Sequence, residues 1–232
     1  MYFTNREEFL KVVSLGPIFK DSPNKGPEMW KEYDPSHPVV AMSWFDAVAY
    51  CLCWGYHLPT EAQWEKAARG GEEIPGDIRR VYTWGNEWDP GILVNASFWA
   101  GNIRDKKEWQ EKSRFLRMFE NKTKTRPAGS YECRGSRSPY GCFDMLGNVS
   151  EWCLDFYDAR YYKSFGFLLG IAENPIFTEK KGHTMLCCRG GSWSDYSHNL
   201  RLSMRGNAWP GHRTYMIGFR PVLRKRLAEL NS

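Results

Sequence analysis

The chain has 232 residues, of which 42% are hydrophobic, 16% aromatic and 25% charged, with eleven tryptophans and twenty-one glycines; this mix favours one domain of loops pinned by large rings over long regular helices. Its net charge of +5 is spread thinly apart from Arg104 to Arg117 and the tail Arg224, Lys225, Arg226, which describes a solvated surface and not a clustered nucleic-acid footprint. No stretch reaches the roughly 20 apolar residues of a membrane span, and Arg6, Glu7 and Glu8 stand where a signal peptide needs an apolar run, so a cytoplasmic chain is expected.

In chain order, Phe9, Leu10, Val12 and Val13 fall at the spacing of a short amphipathic helix over Asn5 to Val13. A Pro/Gly-containing loop follows, and Pro38-Val39-Val40-Ala41-Met42 reads as a buried strand. Ser43 is an N-cap that can take the free N–H near Asp46, ahead of a helix from Trp44 to Trp54 that Gly55 ends. Thr60 with Gln63 three residues on is a capping box, with Trp64, Ala67 and Ala68 on one face of the next helix and Gly70-Gly71 stopping it. Beyond Gly71 the text is aromatic and glycine punctuation, which predicts short strands joined by long irregular loops. Ile103 to Lys124 is charged and accommodates a short helical insertion.

Seven cysteines, Cys51, Cys53, Cys133, Cys142, Cys153, Cys187 and Cys188, are an odd number at irregular spacings. This argues against a disulfide framework and against zinc, and for thiols used as small buried hydrophobes. Cys187 and Cys188, adjacent on an extended strand, should point to opposite faces. The sequons at Asn95, Asn121 and Asn148 carry little weight without a secretory route.

The succession PVVAMSWFDAVAYC, LPTEAQWEKAARGG, YTWGNEW, SPYGCFDMLGNVSEW and RGGSWSDYSHNLRLSMRGNAWPGHRTYMIGFR, over residues 38 to 220, resembles the ordered motifs of the formylglycine-generating enzyme and sulfatase-modifying factor family. The resemblance implies an α+β, C-type-lectin-like fold: a single domain over 1–232 with short antiparallel sheets, few helices and much irregular loop. Relatives usually carry a strand-forming segment ahead of the stretch similar to FTNREEF, so that strand is expected to be trimmed or replaced here.

The oxidases of this family hold copper(I) with two cysteines after the Gly-Gly-Ser-aromatic motif. Those places fall on Asp195 and Leu200, neither of which is a ligand for a soft ion, so no copper is expected and the chain leans away from being an enzyme. Other relatives attach an iron-binding helical module, which is not expected in the residues before Pro38. The resemblance also implies a structural calcium held by Asp144, Gly147, Val149 and Glu151, whose oxygen donors suit a hard cation. A second family calcium site would use Asn95 with a carboxylate near Glu120, and the match there is poor.

Between Trp193 and Ile217 the side chains Trp193, Ser194, Asp195, Tyr196, Ser197, His198, Asn199, Asn207, Ala208, His212, Thr214 and Tyr215 form a paratope-like set, in which tyrosine gives rigid contact area and small polar groups give adaptable hydrogen bonds. The set also looks like that of the variable proteins of diversity-generating retroelements, which use this fold and end on a fixed Ile-Gly-Phe-Arg. Three readings stay open: a non-catalytic display protein with a variable ligand-binding region at 193–216, a non-catalytic family member of another role, and an oxidase acting on a protein cysteine. The expected partner is a protein or other ligand at the 193–215 face, with no nucleic acid; display on a surface or virion would then require a carrier.

Overall fold

Two capping boxes start the two helices that flank the sheet. A computed structural model describes residues 34–71, 80–95, 103, 105–117, 124–130, 137–163, 175–178, 182 and 184–223. Helix α1, Trp44–Cys53, opens on Ser43, whose Oγ accepts from Asp46 N while Asp46 Oδ2 accepts from Ser43 N. Helix α2, Glu61–Arg69, repeats the device with Thr60 and Gln63, and ends at Gly70 with φ +92°. Each box satisfies two backbone donors that a helix start leaves open.

The strands are β1 (Tyr56–His57), β2 (Ser150–Phe156), β3 (Leu186–Arg189), β4 (Arg205–Ala208), β5 (Ile217–Phe219) and β6 (Val222–Leu223). β1 pairs with β6, and the larger sheet has the order β4-β3-β2-β5. β2 is buried along Ser150–Cys153 and at Asp155. Alternate side chains of β2 and β3 serve opposite faces. Trp152 and Cys188 join Trp44, Val48, Leu58 and Ile217 on one side, and Cys153 and Cys187 join Trp64, Met145 and Leu202 on the other. The expectation that the adjacent thiols Cys187 and Cys188 part company therefore holds.

Three expectations need correction or enlargement. The sheets are not wholly antiparallel, because β2 and β5 run parallel, Ser150 opposite Ile217 and Trp152 opposite Phe219. The chain leaves β4 at one edge and crosses to the other before re-entering beside β2, which preserves strand direction. Pro38–Met42 is not a strand: Ala41 has φ +58°, which interrupts an extended run, and its N–H goes to the Thr214 carbonyl. The charged insertion holds a twelve-residue helix, α3, Lys106–Arg117. The proposed N-terminal helix at Asn5–Val13 lies outside the described residues.

Gly147 takes φ +73°, and a Cβ there would collide with Leu93 and the Val94 carbonyl. The Gly147–Val149 turn thus sits hard against residues 93 and 94, with Asn148 N donating to the Val94 carbonyl and Gly147 N to that of Gly190.

A buried polar network ties α2 to the sheet. Arg205 donates to both Glu61 oxygens at 2.7 and 2.8 Å, Arg189 to Glu61 at 3.1 Å and to Glu65 at 2.6 Å, and the Cys187 thiol lies 3.2 Å from Glu61. Burial opposes the charge on Glu61, but the Arg205 hydrogen bonds and the two guanidinium charges outweigh it and hold the carboxyl below its usual range. Asp155, 1% exposed, accepts from the backbone N–H of Glu61 and of Phe177. Its burial pushes the carboxyl up to about 6 against the pull of those hydrogen bonds.

A carboxyl raised from 3.8 to about 6 on folding binds its proton more tightly when folded, so its contribution to stability falls as pH rises through that window. Denaturant unfolding of wild type and Asp155→Asn should show the difference, wild type minus variant, declining from about pH 4 to about pH 7. A difference that is flat or grows with pH contradicts this assignment.

Candidate functional site

The segment from Trp193 to Tyr215 divides into scaffold and surface. Trp193 is 2% exposed and its Nε1 donates to the Tyr215 carbonyl at 3.0 Å; Tyr196 is 8% exposed and packs with Val94, Ile103 and Trp193. Both rings belong to the core, so the expectation that they offer contact area to a ligand is not met by their burial. Ser194 Oγ points to the Met216 sulfur and to Ser192 Oγ. Asp195 is turned inward: Oδ2 accepts from Ser192 N and Oγ at 2.9 Å each, and Oδ1 from Asn199 Nδ2 at 3.0 Å. Leu200 is fully buried at the end of a 3-10 turn, Ser197–Leu200.

The outward groups are His198, Asn207 on edge strand β4, and His212, all exposed, with Ser197, Ala208, Thr214 and Tyr215 half-buried. The Thr214 carbonyl accepts from Ala41 N, the Pro210 carbonyl from Trp44 N, and Arg213 pairs with Asp46 of the first capping box. The 210–214 loop is therefore fixed on the start of α1. His198 sits on a different stretch, joined to a ring ladder: Trp109 of α3 packs on Tyr196 at 5.5 Å, and Tyr196 on His198 at 6.0 Å with the planes 18° apart. Trp109 Nε1 also donates to the Ser194 carbonyl. Trp109 and Arg201 are the participants that sequence reasoning passed over. The tryptophan stands in a charged run whose inward face only the folded chain reveals.

The donor set at the two oxidase positions does not fit copper(I). A carboxylate engaged by Ser192 and Asn199 and a buried aliphatic chain replace the soft ligands such an ion takes. The neighbouring thiols do not supply a substitute. Burial raises Cys188 to about 11 and Cys187 still higher, with Glu61 adding to the latter, and the two face opposite clusters.

The loop with Asp144, Gly147, Val149 and Glu151 offers hard oxygen donors unevenly. Asp144 Oδ2 accepts from Gly129 N at 2.7 Å, and burial pushes its carboxyl up against the pull of that hydrogen bond and of the Arg220 charge, with Glu151 adding a smaller push. Glu151 is already served: Arg220 donates to both oxygens at 2.8 and 3.1 Å and Trp64 Nε1 to one at 2.8 Å. Asn95, of the second family site, is buried with its amide on the carbonyls of Pro90 and Leu93, and Glu120 lies outside the described residues. Asn95 and Asn148, at 0% and 2% exposure, are also closed to a glycan in the folded chain.

The sulfatase-modifying factor enzyme 1-like domain pattern matches residues 8–225. The formylglycine-generating enzyme of Streptomyces coelicolor is 35% identical over 191 residues, covering 80% of this chain and 52% of that protein. The inactive C-alpha-formylglycine-generating enzyme 2 of Mus musculus is 30% identical, over 79% of this chain and 48% of the relative. The chain thus spans about half the length of the curated relatives it matches. Among solved structures, Treponema denticola variable protein 1 superposes with a TM-score of 0.53 at 19% identity, covering 93% of this chain and 80% of the other, a likeness of fold.

Because the Asp195 carboxylate holds three donors of its own loop, Asp195→Ala should lower unfolding free energy by about 1–2 kcal/mol and speed hydrogen exchange at Ser192 N–H. Wild-type stability and exchange in the variant count against the inward cap.

Proposed function

This chain belongs to the sulfatase-modifying factor enzyme 1-like family, and from that premise we propose that it is a non-catalytic, ligand-binding member that presents the outward side chains of 193–215 to a protein or other ligand. The observation that carries the reading is Asp195 and Leu200: the two positions where the oxidases need soft ligands are occupied by a loop-capping carboxylate and a core leucine. The likeness in fold to a Treponema denticola variable protein, with the His, Asn, Ser and Tyr content of the segment, supports display as the use of that surface. The scaffold beneath is rigid enough to tolerate change above it, since Trp193, Tyr196 and Leu200 are buried and carry the shape.

The opposing reading, an oxidase acting on a protein cysteine, draws on the 35% identity to a formylglycine-generating enzyme. Copper(I) titration of the purified chain, followed by incubation with a cysteine-containing peptide and oxygen, decides between them. No tight copper binding and no loss of peptide thiol are expected; conversion of the thiol to an aldehyde would overturn the proposal. The display reading has its own test in the neighbouring DNA, where a near-copy of the codons for 193–220 differing mainly at adenines is expected beside a reverse transcriptase gene.

We further propose that the Asp144 carboxylate with the Gly147 and Val149 carbonyls takes a structural calcium ion, Glu151 joining only by exchanging its Arg220 contact. The ion would supply positive charge to a half-buried carboxylate and brace the turn under residues 93 and 94. Calcium at about a hundredfold excess over its Kd should stabilise the wild type by about 2.7 kcal/mol and leave Asp144→Asn unmoved. An equal response of both proteins removes this site.

A further inference from the structure

Four of the five arginines between residues 189 and 220 are paired with carboxylates. Arg189 pairs with Glu61 and Glu65, Arg205 with Glu61, Arg213 with Asp46 and Arg220 with Glu151. Arg201 has no carboxylate partner among the described residues. The acid of its own segment, Asp195, is consumed by Ser192 and Asn199.

Arg201 is nevertheless held in place. Its Nε donates to the His198 carbonyl at 2.9 Å, and Nη2 lies 3.2 Å from the imidazole Nε2. A guanidinium has no acceptor, so the ring nitrogen accepts there and the ring proton sits on Nδ1. These two contacts leave the Nη1 hydrogens and the second Nη2 hydrogen to offer.

The imidazole that orients it ends a stack of rings. This is the ladder Trp109–Tyr196–His198, ending at an exposed imidazole. The next residue, Leu202, donates its backbone N–H to the Val81 carbonyl at 2.8 Å, which joins this segment to the loop that carries Tyr82. The Tyr82 hydroxyl, raised by burial, feels the Arg201 charge in the opposite sense. Tyr82 in turn stacks on Trp84 at 5.0 Å, with 7° between the planes.

We propose that Arg201, oriented by His198 at the end of the ring ladder, is a preorganised site for an anionic oxygen group, a carboxylate or a phosphate, on the ligand of this face. The proposal rests on the display reading only for the statement that a larger ligand docks here; recognition of the anion stands on the arginine itself. A fixed guanidinium meets two oxygens of such a group at once, and loses little rotamer freedom in doing so. An exposed and mobile arginine would gain almost nothing from the same contact.

The test is an NMR titration of the isotope-labelled full chain with inorganic phosphate and, separately, with acetate, at constant ionic strength set by chloride. Saturable shifts confined to the Arg201 Nε–H, the His198 ring and Tyr196 are expected, and the stronger of the two arms identifies the preferred group. Arg201→Gln should weaken binding about tenfold or more, and Arg201→Lys, which keeps charge but not the fork, should weaken it as well. Should Arg201→Gln lose its folded amide spectrum, His198→Gln takes its place with the same expectation. Shifts that never saturate, or an unchanged response in the glutamine variants, overturn the site. If the anion response is absent while a peptide library still selects binders on this face, the anion site alone falls; if anions bind and no library member does, the display reading falls instead.

Discussion

The fold hangs on one buried carboxylate. Glu61, 1% exposed, stands at the first position of α2 and is gripped by Arg205 of β4 and Arg189 of β3. One side chain thus joins a helix start to two neighbouring strands, and it does so with rigid forks that fix orientation as well as distance. Removing one member of such a buried set strands the charge of the others, at a cost of about 3–5 kcal/mol. Arg205 also lies over the rings of Tyr157 and Tyr162, and Arg189 over Trp64, so aromatic packing and ionic pairing fix the same guanidinium groups. Everything downstream, from the 3-10 turn to the loop on α1, departs from strands that this network has set.

What could be read in the sequence was what is local. Ser43 with Asp46 and Thr60 with Gln63 are three residues apart, so their boxes need no knowledge of the fold. The parting of Cys187 and Cys188 likewise follows from strand geometry alone. The parallel pairing of β2 with β5 was hidden because it depends on how the chain crosses after β4. Pro38–Met42 is apolar and β-rich, yet the left-handed turn at Ala41 and its bond to Thr214 arise from a partner far along the chain.

The same contrast governs the candidate site. Tyrosine and tryptophan suit a contact surface and a core equally well, since each has an apolar body and a polar end. Trp193 and Tyr196 were therefore ambiguous by composition, and burial resolved them into the core. Arg201 resembles the other arginines of the segment in sequence. Only the distribution of carboxylates in space separates it from Arg189, Arg205, Arg213 and Arg220.

The loop after Gly191 is held by its own side chains. Asp195 ties back to Ser192 and Asn199, and Leu200 seals the core beneath the 3-10 turn. The turn is thus closed by hydrogen bonds and apolar burial, with no demand for a metal to hold its ends together. The nearby thiols do not meet there, because burial pushes Cys187 and Cys188 up and the strand sends them to opposite clusters. A backbone stabilised in this way leaves the exposed side chains of Asn207 and His212 outside the core, and positions of that kind are the ones a surface can vary without endangering the fold.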